Sequence, residues 1–119
     1  MFINCSNHSS ENWSEKQLME AHKWGEVVDY PFPNVNPFFD SKEVEELADK
    51  VVEEISGMKP DVVMCQGEFT LSFQIINKLK ALNVKVVSAC SERKVIEYQD
   101  ENKNTKKITE FSFVKFREY

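Results

Sequence analysis

Four short apolar runs alternate along this chain with stretches of helical periodicity, and that alternation leaves few folds open. The runs are Phe2-Ile3-Asn4-Cys5-Ser6, Val27-Val28-Asp29-Tyr30, Asp61-Val62-Val63-Met64-Cys65 and Val84-Lys85-Val86-Val87-Ser88-Ala89-Cys90. Each is strand-length, and the third is apolar almost throughout, as expected of a strand whose two faces are both covered. A helix is predicted in each gap. Ser14 and Gln17 form a capping box for the first, Trp13 is placed to staple onto Leu18, and Gly25 suits a left-handed C-terminal cap. Pro31, Pro33 and Pro37 keep the next loop extended. Asp40 and Glu43 then start a second helix, in which Val44, Leu47, Ala48, Val51, Val52 and Ile55 form one stripe before Gly57. The third helix follows Gln66-Gly67-Glu68 and turns Leu71, Ile75, Ile76, Leu79 and Leu82 inward.

Strands joined by single helices form parallel sheets with right-handed crossovers. The expected fold is therefore α/β: one three-layer, Rossmann-like domain over residues 1–119, with order βαβαβαβ and strand order 2-1-3-4. Ser91-Glu92-Arg93 is read as a loop leading to Val95-Ile96-Glu97-Tyr98. A polar turn at Asp100-Glu101-Asn102-Lys103-Asn104 separates that strand from a last one near residues 108–116. With no crossover helix between them, these two strands should make a C-terminal antiparallel β-hairpin at the sheet edge. Simple alternation puts Phe111 and Phe113 on one face of the last strand and Val114 and Phe116 on the other, so one apolar face calls for a cover.

Charge narrows the partners. The net charge of −5 argues against sequence-independent binding to long nucleic acid, whose affinity comes from neutralised phosphates. The basic side chains lean toward the C-terminus: residues 1–92 carry 8 basic and 15 acidic, residues 93–119 carry 7 and 5. A small anionic ligand held locally is compatible with that split. No apolar stretch has the roughly 18–20 residues of a membrane helix, and no signal peptide is evident, so a cytoplasmic protein without a membrane partner is expected. Cys5, Cys65 and Cys90 are an odd count without a CxxC pair, which disfavours a disulfide framework. Zinc through these cysteines and His8 is geometrically conceivable, but small cysteines in strands are read as core; no metal or cofactor is expected.

In parallel α/β sheets ligands bind beyond the C-terminal strand ends, where the strand order reverses. Here those loops are residues 7–12, 66–70 and 91–94, all polar and rich in hydrogen-bond donors. Asn7, His8, Ser9 and Ser10 follow the first strand; His8 can bind a base or phosphate or act as general acid. Gln66, Gly67, Glu68, Phe69 and Thr70 lead from a strand straight into a helix. A glycine there lets backbone amides approach a ligand, and the helix N-terminus suits phosphate; equally, Gly67 can serve only the turn and Glu68 only the helix start. Ser91, Arg93 and Lys94 offer a hydroxyl and two cations after the fourth strand, with Arg93 able to clamp a phosphate in bidentate fashion, or else to pair with Glu92. Walker, GxGxxG, GxSxG and Cys-x5-Arg patterns are all absent.

The order of elements, the polar strand-end loops and the stretch Val87-Ser88-Ala89-Cys90-Ser91-Glu92-Arg93-Lys94, running into a hairpin, together resemble the CARF domains and ring nucleases associated with type III CRISPR systems. The resemblance spans nearly the whole chain in architecture, through short motifs. It implies a homodimer that binds cyclic oligoadenylate, a small phosphodiester, between the strand-end loops of both subunits. It also implies metal-independent cleavage by attack of a ribose 2′-hydroxyl. Asn7, His8 and Ser9 would then contact the ligand, residues 66–70 would cradle it, and Arg93 and Lys94 would hold phosphate. Two other readings stay open. One is a small nucleotide- or nucleoside-processing enzyme with Glu68 as nucleophile or base; the other is a non-catalytic module whose hairpin docks on another protein.

Overall fold

The computed structural model describes all residues, Met1–Tyr119. Its elements are β1 (Phe2–Ser6), a 3-10 turn (Ser10–Asn12), α1 (Glu15–His22), β2 (Val27–Asp29), α2 (Ser41–Gly57), β3 (Val62–Gln66), α3 (Phe69–Ala81), β4 (Lys85–Gln99) and β5 (Thr105–Glu118). They form an α/β fold with one mixed five-stranded sheet, ordered β2-β1-β3-β4-β5. The first four strands are parallel, in the expected order, and β5 runs antiparallel beside β4. No helix is long and apolar enough to cross a membrane.

Side-chain alternation along the strands gives the sheet two apolar faces. Ile3, Cys5, Val63, Cys65 and Val86 cluster with the inward stripes of α2 and α3. Phe2, Val62, Met64 and Val87 cluster with Ala21 of α1 on the other face. Helix ends follow local chemistry. Asp40 and Glu43 complete a capping box on α2. At α1 only half of the expected box forms: Ser14 accepts from the Gln17 backbone N–H at 3.2 Å, while the Gln17 amide reaches the Met64 sulfur at 3.9 Å. Trp13 turns its ring to Phe2 and Phe116, at centroid distances of 6.1 and 6.3 Å.

The largest difference from the sequence-based expectation is at the C-terminus. Residues 91–94 are not a loop. They lie inside β4, so the expected fourth and fifth strands are one, and the sheet has five strands rather than six. The cause is pairing with β5, which runs to the ribbon tip at Gln99↔Thr105. Away from the domain both ribbon faces meet water, so polar residues there signal exposure rather than a break in the strand. The radius of gyration of 17.3 Å exceeds the roughly 13.5 Å of a compact chain of this length, because the ribbon projects.

A β-bulge corrects a second expectation. The register passes from Cys90↔Lys115 to Ser91↔Phe113, which leaves Val114 as the extra residue on β5. The insertion flips the alternation, so Phe113 and Phe116 share a face and pack with ring centroids 4.9 Å apart. Phe116 in turn packs on Phe2 at 4.9 Å. The apolar face thought to need an outside cover is thus partly covered from within.

Candidate functional site

Two ladders of unequal length open a cleft. The β1–β3 pairing continues to Ser6↔Gln66, whereas the β3–β4 pairing stops at Met64↔Val87. Beyond that point the Gln66 side chain takes over, its Oε1 accepting from the Ala89 backbone N–H at 2.8 Å. The ribbon then leaves the sheet. A cleft of about 870 Å³ lies between it and the segment leading into α1, within the usual size range of a ligand pocket.

Its floor is Met64, Gln66 and Gly67. Asn7, His8, Asn12, Trp13, Ser14 and Gln17 form one wall, and Ala89, Ser91, Phe111 and Phe113 the other. The lining therefore combines three aromatic rings with amide and hydroxyl groups. It contains no carboxylate and no cysteine, and His8 is its only acid–base side chain. Arg93 is paired with Phe111 two residues beyond Ser91, so it shares the cleft face of the ribbon without lining the cleft. No group of three or more His, Cys, Asp or Glu side chains comes close enough to hold a metal ion.

Of the residues singled out in the sequence, Asn7, His8, Gln66, Gly67 and Ser91 come together here, with Arg93 adjacent. The others go elsewhere. Lys94 alternates to the opposite ribbon face and pairs with Glu92 at 3.9 Å. Ser9 and Ser10 turn to Asp29, which accepts from the Ser9 hydroxyl at 3.2 Å and from the Ser10 hydroxyl at 3.1 Å and backbone N–H at 3.2 Å. Asn4, buried in β1, completes that network by donating to Asp29 and to the His8 carbonyl, both at 2.8 Å, while Ser6 donates to Asn4 at 2.6 Å. This mesh fixes the His8 backbone and leaves its ring in the cleft. Partial burial pushes the Asp29 carboxyl up, but hydrogen bonds from Asn4, Ser10 and Ser9 outweigh it and hold the carboxyl below its ordinary value.

Glu68 caps α3 instead of facing the cleft. Its carboxylate accepts from the Thr70 N–H at 3.0 Å, the Leu71 N–H at 2.8 Å and the Thr70 hydroxyl at 2.7 Å. The amides expected to cradle phosphate are thereby occupied by the protein's own anion. Burial is the largest single influence on the Glu68 carboxyl and raises its pKa, but the hydrogen bonds from Leu71 and Thr70 together outweigh it and hold the carboxyl below its ordinary value. Glu68→Ala should lower stability by about 0.5–2 kcal/mol, as other cap losses do. The sign of its pH dependence follows: the cap's contribution is present above the ordinary carboxyl pKa and lost as pH falls through the lower folded value. Urea melts of both proteins at neutral and acid pH check this; equal midpoints at neutral pH would contradict it.

Gly67 makes a close approach, but to the protein itself: a Cβ there would lie 2.6 Å from carbons of the buried Phe32 ring. Phe69 points away from the cleft and is 89% exposed. Cys5 and Cys65 are register partners, both fully buried; the hydrogen bond with Cys5, then burial, pushes the Cys65 thiol up, away from nucleophile chemistry. Among the cleft residues that sequence reasoning missed are Trp13, Gln17, Met64, Phe111 and Phe113. Trp13 and Gln17 carried a signal that was read as helix capping.

No curated protein and no solved structure matches the chain. A family model does, over residues 1–117 of the 119, and the chain belongs to that family, described as the Uncharacterized protein MJ1673 family.

Proposed function

We propose that the cleft binds a cyclic oligoadenylate shared between two copies of the chain, and that the protein acts in type III CRISPR defence from the cytoplasm. The frame for this reading is the three-layer Rossmann-like arrangement, supported by apolar clusters on opposite sheet faces. One observation carries it: the cleft joins aromatic rings with side-chain amides, lacks carboxylates, and has Arg93 next to it on the same ribbon face. Rings such as Trp13 and Phe111 suit base stacking, worth about 1–3 kcal/mol per base. Asn7, Asn12 and the Gln66 amide nitrogen, which donates to no group of the chain, suit the adenine edge. A guanidinium suits a phosphodiester. The reading with Glu68 as nucleophile has less support, because that carboxylate caps α3 outside the cleft.

The proposal is binding. If the ring is also opened, proton transfer falls to His8, the only acid–base side chain in the lining. Cyclic tetra- or hexa-adenylate at about 100 times Kd should stabilise the fold by roughly 2.7 kcal/mol, a rise in Tm on the order of 10 °C. Arg93→Ala should weaken binding about tenfold or more, through loss of a charged hydrogen bond worth roughly 1.5–3 kcal/mol. Differential scanning fluorimetry with adenosine monophosphate as control reads both. No shift with either ring would contradict the proposal.

A further inference from the structure

A second surface lies outside the cleft. Phe69 and Phe73 are 89% and 66% exposed, and with Phe39 they line a groove of about 390 Å³ at the N-terminal ends of α2 and α3. Three phenylalanines around one groove exceed the scattered apolar exposure normal for a surface. One carboxylate lines the groove, Asp40, and it has no cationic partner.

The ribbon carries the complementary surface. On its face opposite the cleft, Ile96 pairs with Ile108 and Tyr98 with Lys106. The three apolar side chains are 43–46% exposed, and Lys106 has no ion partner, unlike Lys94 and Lys107, which pair with Glu92 and Glu97. A two-stranded ribbon in water is marginal by itself, so a contact along this face also supports the strand pairing.

We propose that the occupant of the phenylalanine groove is the ribbon of a second copy of this chain, with Ile96, Tyr98 and Ile108 against the rings and Lys106 over Asp40. The exchange is reciprocal about a two-fold axis, since each copy carries both surfaces. At about 150–250 Å² per aromatic, the exposed parts of these six apolar residues amount to roughly 600 Å² per copy, the lower end of what a standard stable interface buries on each partner. The proposal rests on the two-copy part of the functional reading and is independent of what the cleft binds.

Sedimentation equilibrium of the full chain, without ligand, tests it. The expected mass is twice the 13.9 kDa of one chain at micromolar concentration, falling to one chain in Phe69→Asp and in Ile108→Asp. Both sites are exposed, so circular dichroism should show both variants folded. A Phe73→Cys/Tyr98→Cys double variant should form an interchain disulfide under mild oxidation that neither single variant forms. A dimer that survives Phe69→Asp and Ile108→Asp would overturn this surface and leave the two-copy reading standing. A monomer in the parent chain would overturn both.

Discussion

Phe2→Ala is expected to lower unfolding free energy by about 3–5 kcal/mol, a large fraction of the stability of a domain this size. The side chain is fully buried and joins three parts of the molecule. It sits on β1, meets Phe116 of β5 at 4.9 Å and meets Trp13, before α1, at 6.1 Å. Truncation opens a cavity where the ribbon is anchored to the sheet, so the loss includes more than one side chain's transfer energy. The cleft lies between those same anchored parts, with Trp13 in one wall and Phe113 in the other. A fall in the urea midpoint should therefore be accompanied by a change in tryptophan fluorescence from Trp13. A loss under about 1 kcal/mol would show that the aromatic cluster does not anchor the ribbon.

Asn4→Ala should be nearly as costly, for a different reason. Asn4 is a buried amide in an otherwise apolar strand, and its three hydrogen bonds hold the His8 carbonyl, Asp29 and Ser6. Removing it deletes three hydrogen bonds at once, each worth about 0.5–1.5 kcal/mol, or about 1.5–3 where the partner is the Asp29 carboxylate. It also releases the segment that presents Asn7 and His8, so ligand affinity should fall along with stability. Acid should expose the same network. The Asp29 carboxyl is held below its ordinary 3.8, so its contribution is fully present above that pH and is lost as pH falls through the lower folded value. The group is exposed and screened, so the acid limb should be shallow. Asp29→Asn should flatten it; an unchanged acid limb in that variant would contradict the assignment.

The parallel part of the sheet was legible because burial writes itself into sequence. Val62, Val63, Met64 and Cys65 are apolar since both faces are covered, and the α2 stripe repeats at helical spacing since one face is. What burial does not govern was harder to read. Ser91, Glu92, Arg93 and Lys94 look like a loop because nothing covers the projecting ribbon, although pairing with β5 keeps them extended. The shared face of Phe113 and Phe116 depends on one bulged residue, Val114, which no periodicity announces. At the site, chain order brought Asn7, His8, Gln66 and Ser91 to the same sheet end. It could not tell a free polar side chain from an engaged one: Ser9, Ser10 and Glu68 are bound to Asp29 and to the start of α3. Asn4 and Asp29 carried a weak signal, as polar residues inside apolar strands.

Calorimetric titration of the purified chain with cyclic tetra-adenylate or cyclic hexa-adenylate tests the central claim most directly. The expected result is saturable binding at one ring per two chains, weakened about tenfold or more by Arg93→Ala and unaffected by Glu68→Ala. No binding heat with either ring, or binding that Arg93→Ala leaves unchanged, would contradict it.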